Sequence, residues 1–186
     1  LDTSLIYFEG GKVVAESGNV KVYKFNDELY LEIGPGHSLW AISDEIKELS
    51  AQISNLPQGD CLEIGLGLGI ASNYILAQDI DSLTTIEINS DVINTYKQLN
   101  RIIDIRHTIV NASGLDYILS TDRKFDFIFF DFYDLIDEDT LEMLDVYTKV
   151  SKRILSDDGI MLAWFDPYTP EEDAEVFFNM FKKGGS

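Results

Sequence analysis

An α/β fold with a doubly wound, mostly parallel sheet is predicted by two observations. From Asp60 onward, five short apolar runs, "CLEIG", "SLTTIEI", "HTIVNA", "FDFIFFD" and "GIMLAWF", alternate with segments of helical character. The runs are apolar on both faces, the pattern of strands covered by helices on either side. Helices are expected near 69–77, 90–99, 113–120, 139–155 and 170–182. The two last strands of a complete sheet of this kind have no visible counterpart, so the fold is expected without them.

In front of this series lies hairpin-like sequence. Gly10-Gly11 separates two apolar runs in "SLIYFEGGKVVAES", and Asn26-Asp27 separates two more in "NVKVYKFNDELYLEI", which predicts four short strands. The period then changes in "SLWAISDEIKELSAQISNLP". Ile42, Ile46, Leu49, Ile53 and Leu56 mark one face of a helix, with Ser43 as its N-cap and Pro57 and Gly59 ending it. The division expected is a β-hairpin region over 1–40 and a Rossmann-like cofactor-binding domain over 41–186.

Composition narrows the function. The 186 residues carry 33 acids and 14 bases, a net charge of −19, which repels phosphate backbones and anionic lipid alike. Neither nucleic acid nor membrane is an expected partner. Cys61 is the one cysteine and falls in an apolar run, so no internal disulfide forms and the thiol reads as core. His37 and His107 lack metal-ligand spacing, and no metal site is expected. No run approaches the roughly 20 apolar residues that span a bilayer, and no leader pattern opens the chain; a cytoplasmic location is expected.

Two glycine loops compete for a cofactor, "LEIGPGHSL" at 31–39 and "LEIGLGLGI" at 62–70. A cofactor loop needs a strand before it, a helix after it, and an acid at the end of the next strand for ribose hydroxyls. The second loop meets all three: Gly65, Gly67 and Gly69 follow "DCLEI", and Glu87 ends "SLTTIE" 22 residues after Gly65. In the first, Pro35 removes a backbone donor and the preceding strand belongs to a hairpin, so it reads as a hairpin exit.

Charge then selects the cofactor. Between Lys47 and Lys97 there is no lysine or arginine, whereas Glu63 and Glu87 flank the loop. A pyrophosphate would be repelled there. An ammonium and a sulfonium would be attracted, by roughly 4 kcal/mol gross per pair about 4 Å apart at an effective dielectric near 20. S-adenosylmethionine, or its decarboxylated form, has the matching sign.

These motifs resemble the class I S-adenosylmethionine-dependent methyltransferases, in the branch that looks like spermidine synthase. "LEIGLGLG" is similar to the first cofactor motif of that superfamily and "TTIEINSDVINTYKQLN" to the second. "FDFIFFDFYD" resembles the strand ending at the reaction centre, and "VYTKVSKRILSDDGIMLAWF" the helix and fifth strand after it. The resemblance covers about residues 56–165, and the paired hairpins are similar to the small N-terminal β domain of spermidine synthases. It implies Glu63 near the methionine ammonium, Gly65, Gly67 and Gly69 under the cofactor, and Glu87 on the ribose. Asn111 or Ser113 would meet the adenine.

Asp131 and Asp134 match the D-x-x-D spacing of the reaction centre, where the acids hold and help deprotonate an attacking amine. Attack on a sulfonium needs an unprotonated nitrogen or oxygen, and a strand-end carboxylate can accept its proton. Phe132 and Tyr133 between the acids depart from the synthase pattern and would narrow the pocket or stack on a substrate. The expected function is methyl transfer to a small neutral or cationic acceptor, an amine among the candidates. Aminopropyl transfer, as in polyamine synthesis, and a non-catalytic or truncated binding fold are the alternatives. The last draws on the unpaired sheet edge, which also invites a homodimer.

Overall fold

The computed structural model describes residues 11–34, 38–42, 46–100 and 104–181. The first strands form an antiparallel sheet in sequential order: β1 (Lys12–Ser17), β2 (Val20–Phe25), β3 (Glu28–Ile33) and β4 (Ser38–Ile42). Asn26 and Asp27 both adopt positive φ, 48° and 69°, which is how a two-residue loop matches the twist of its strands. The run Ser4–Glu9, expected to pair across Gly10-Gly11, lies outside the described residues. Among the described residues, Ser38–Ile42 is a fourth strand of the sheet, beside β3.

That strand corrects the sequence reading, which placed Ile42 on the helix. Ile42 pairs with Tyr30 of β3, and the helix, α1, is confined to Ile46–Ile53. The proposed cap Ser43 and the Pro35–His37 part of the first glycine loop lie outside the described residues. Gly34 has φ +87° and donates its N–H to Asn19 O at 2.9 Å, closing the end of β3 as a hairpin exit would.

The second sheet is parallel throughout, in the order β7-β6-β5-β8-β9. Its strands are β5 (Gly59–Ile64), β6 (Ile80–Glu87), β7 (His107–Asn111), β8 (Phe125–Phe130) and β9 (Leu155–Ala163). The helices are α2 (Ile70–Leu76), α3 (Ser90–Leu99), α4 (Gly114–Ser120), α5 (Glu138–Ser151) and α6 (Glu171–Phe181). This is the doubly wound, Rossmann-like arrangement expected. The boundaries differ most around β9: α5 ends at Ser151 and the strand begins at Leu155, four residues before Gly159.

Each face of the sheet has its own core. Leu62, Ile64, Ile128 and Phe130 pack with Ile118, Leu144 and Phe177 on one side; Cys61, Leu83, Phe127 and Phe129 pack with Ile53, Ala71 and Ile75 on the other. Burial of each large apolar side chain contributes about 1.5–3 kcal/mol. Cys61 is fully buried, as its apolar run implied.

A third cluster fastens the small sheet to the large one. Ala15, Val20, Val22 and Leu31 meet Leu66, Leu68, Val92 and Tyr96. Ser17 Oγ donates to Asp91 Oδ1 at 2.7 Å, and Gln98 Nε2 donates to Glu16 O at 2.8 Å. The fit is close at Gly18, where a Cβ would stand 2.1 Å from Asp91 Oδ2. The antiparallel sheet therefore roofs the turn after β5. Strand order reverses at β5, which pairs with β6 on one side and β8 on the other, and a crevice opens beyond such a switch point.

Candidate active site

The crevice is a cavity of about 660 Å³, a size typical of small-molecule sites. Its floor is the turn from β5 into α2. Gly65, at φ +99°, donates its N–H to Ile86 O at 2.8 Å; a Cβ on it would lie 1.8 Å from Asp131 O. Gly69, at φ +76°, faces the Tyr96 ring, which a Cβ would meet at 2.2 Å. Both positions exclude any side chain, so the turn holds one shape. Gly65 and Gly67 line the cavity, whereas Gly69 starts α2 behind it.

Glu87 ends β6 and lines the same cavity. Its Oε2 accepts from Leu66 N at 3.0 Å and its Oε1 from Asn89 N at 2.7 Å. The carboxylate thus ties the glycine turn to the start of α3, and each oxygen keeps a lone pair for a further donor. Ser113 caps α4 and also lines the cavity. Asn111 does not: its Nδ2 donates to Glu87 O at 2.8 Å and Ile88 O at 3.0 Å, bracing the loop from outside.

Asp131 follows β8, its N–H donating to Ile64 O at 2.8 Å, and it lines the cavity together with Asp134. Burial pushes the Asp131 carboxyl up to about 7. Glu63 is placed differently. It is fully buried under the sheet, accepting from Ser72 Oγ and, at 2.6 Å, from Thr85 Oγ1, and it is not among the lining residues. Burial pushes its carboxyl up to about 8, against the opposing pull of the Ser72 and Thr85 hydrogen bonds and with smaller upward pushes from the charges of Asp131 and Glu87.

An aromatic wall completes the site. Phe132, Tyr133, Tyr147 and Trp164 line it; the Phe132 and Tyr147 rings lie 4.6 Å apart, and Tyr133 Oη donates to Trp164 O. Phe132 and Tyr133 were expected near the pocket, Tyr147 and Trp164 were not. Tyr147 comes from mid-α5 and Trp164 from the exit of β9, and no local motif marks either. Leu31 and Ile33 of β3 add apolar wall from the small sheet.

Among the described residues that line the cavity, Glu87, Asp131 and Asp134 are acidic and none is lysine or arginine. A cationic adenosyl sulfonium fits that lining, and a pyrophosphate does not. No group of three His, Cys, Asp or Glu among the described residues could hold a metal ion. No described helix is long and apolar enough to cross a membrane.

Sheet order, glycine turn and crevice together have the form of the class I S-adenosylmethionine-dependent methyltransferase fold. A model of the guanidinoacetate N-methyltransferase family matches residues 35–165, and the chain belongs to that family. Ribosomal RNA small subunit methyltransferase J of Francisella tularensis subsp. novicida (strain U112) is 27% identical over 129 residues, covering 62% of this chain and 53% of that protein. The chain thus spans about half the length of this curated relative.

Among solved structures, spermidine synthase from Thermotoga maritima superposes with a TM-score of 0.69 at 17% identity, covering 92% of this chain and 64% of that one. A putative S-adenosylmethionine-dependent methyltransferase from Streptococcus mutans gives 0.59 at 14% identity, with 91% and 48% covered. At such identities these two likenesses concern the fold.

Proposed function

We propose that the chain catalyses methyl transfer from S-adenosylmethionine to a nitrogen or oxygen of a small neutral or cationic acceptor. The observation that carries this reading is the lining of the cavity: three carboxylates, four aromatic rings and no described base. When bound, the cofactor supplies a methyl group made electrophilic by its sulfonium.

The residues of the chain do the rest. Gly65 and Gly67 give the cofactor a backbone surface, and Glu87 offers the ribose hydroxyls its free lone pairs. Asp131 accepts the proton of the attacking atom and orients its lone pair. Its carboxyl, raised to about 7, suits a base working near neutrality. Asp134, exposed at the mouth, draws in the cationic part of the acceptor. The aromatic wall keeps water from the reacting atoms.

Guanidinoacetate, which gives the family its name, carries a guanidinium that the two aspartates suit. Its own carboxylate would find no lysine or arginine in the described lining, which favours an acceptor without an acid group. Ribosomal RNA, named for the Francisella relative, is disfavoured by the net charge of −19.

Aminopropyl transfer is the second reading. The same lack of a base favours it, because decarboxylated S-adenosylmethionine has no carboxylate to satisfy. Incubation with each cofactor form and a panel of amines, guanidines and RNA, followed by mass spectrometry, decides. A methyl increment on a small amine or guanidine supports the proposal; a propylamine increment or methylated RNA replaces it.

A further inference from the structure

Beneath the glycine turn lies a line of buried polar groups that methyl transfer itself does not employ. Glu63 on β5 stands directly opposite Thr85 on β6, and His107 begins β7 on the diagonal. Thr85 Oγ1 is 2.6 Å from Glu63 Oε2 and 2.8 Å from His107 Nε2, and Ser72 of α2 donates to the same carboxylate oxygen. Glu63, Ser72 and Thr85 are fully buried and His107 nearly so. At the two ends, Glu63 Oε1 and His107 Nδ1 are buried without a hydrogen-bond partner.

We propose that Glu63, Thr85 and His107 form a proton relay that sets the charge under the glycine turn, with Glu63 a positioning residue of the cofactor site. With Glu63 protonated, Oε2–H donates to Thr85, the Thr85 hydroxyl donates to His107 Nε2, and the imidazole carries its hydrogen on Nδ1. With Glu63 ionised, Thr85 donates to Oε2 and accepts from Nε2–H, and Nδ1 is bare. One proton separates the two states. It enters or leaves at Nδ1, each O–H and N–H along the line shifts by one bond, and the ring stays neutral throughout.

The surroundings hold the protonated state in the free protein. The groups facing Glu63 are acids or neutral: Glu87 from β6, Asp131 from the end of β8, Tyr96 from α3 and Cys61 on its own strand, while the sequence of α2, IASNYIL, carries no charge. Burial, with a smaller contribution from the charges of Asp131 and Glu87, raises Glu63 to about 8 against the opposing hydrogen bonds of Ser72 and Thr85, and burial lowers His107 to about 4 against a smaller opposing pull from Asp104. A cation in the cavity favours the ionised state. This part rests on the methyltransferase reading: a sulfonium ligand expels the relay proton and gains a further negative charge beneath it, whereas the neutral thioether product does not.

Heteronuclear NMR of the imidazole nitrogens tests the relay in the ligand-free chain, with His37→Gln assigning the His107 signals. Between roughly pH 6 and roughly pH 10, His107 converts from the Nδ1–H to the Nε2–H tautomer around pH 8. Thr85→Val abolishes the conversion and Thr85→Ser restores it. One tautomer across the range in the wild type, or an imidazolium titrating near its ordinary value, overturns the relay whether or not the valine variant folds. Calorimetry of the wild type in buffers of differing protonation enthalpy tests the coupling. S-adenosylmethionine releases more protons than S-adenosylhomocysteine near pH 7.5, and equal release overturns the coupling. Failure of both ligands to bind counts against the methyltransferase reading, while the tautomer titration still decides the relay.

Discussion

The backbone carbonyl of Asp131 occupies the place a side chain on Gly65 would need, 1.8 Å from the ideal Cβ position. The residue proposed as base and the first glycine of the cofactor turn are thereby locked together, since Asp131 N also bonds Ile64 O.

Gly65→Ala breaks that lock. The added methyl strains a φ of +99° and displaces the Asp131 backbone, costing roughly 2–4 kcal/mol. Urea unfolding measures it; an unchanged midpoint would mean the turn has room that the geometry denies.

Asp131→Asn removes the proton acceptor while keeping the side chain's shape. Turnover falls by about 10²-fold or more with unchanged secondary structure by circular dichroism. In the wild type, kcat/KM rises with pH through about 7 as the carboxyl ionises. A rate that is flat across neutrality would remove Asp131 from the proton transfer.

Stability has its own pH dependence. Folded pKa values above the unfolded ones, about 7 for Asp131 and about 8 for Glu63, mean that the folded chain holds more protons over this range, so stability falls as pH rises to about 8. His107, lowered to about 4, acts oppositely, but only between about 4 and its ordinary 6.5. From pH 6.5 to 8 the two acids act alone, and the melting temperature declines. Asp131→Asn makes the decline shallower; a rising curve over this interval would refute the assignment of both acids.

Tyr133→Phe deletes the hydroxyl that donates to Trp164 O. A part-buried carbonyl loses its partner, at about 0.5–1.5 kcal/mol. Thermal unfolding checks the loss, and a variant as stable as wild type would mean water replaces the hydroxyl.

How much of this was legible in the sequence follows from what each element depends on. The parallel strands were readable because apolar runs such as "FDFIFFD" are buried on both faces, and the Asn26-Asp27 hairpin because the turn needs positive φ at both residues. Ser38–Ile42 was misread because Ile42 happens to continue the helical spacing of Ile46, Leu49 and Ile53; its pairing with Tyr30 is a tertiary fact. Tyr147 and Trp164 reach the cavity from elements joined only by the fold. Glu63 shows the same limit in depth: its motif marks the position, but only the sheet reveals that the side chain meets Thr85 and not the open crevice.

Whether the cavity beside the 65–69 turn accepts an adenosyl sulfonium is decided by calorimetric titration with S-adenosylmethionine. Saturable binding is expected, weakened about tenfold or more, roughly 1.4 kcal/mol, in Glu87→Ala, with no binding of NAD. Absence of heat at millimolar S-adenosylmethionine, or NAD binding as well as the sulfonium, would contradict it.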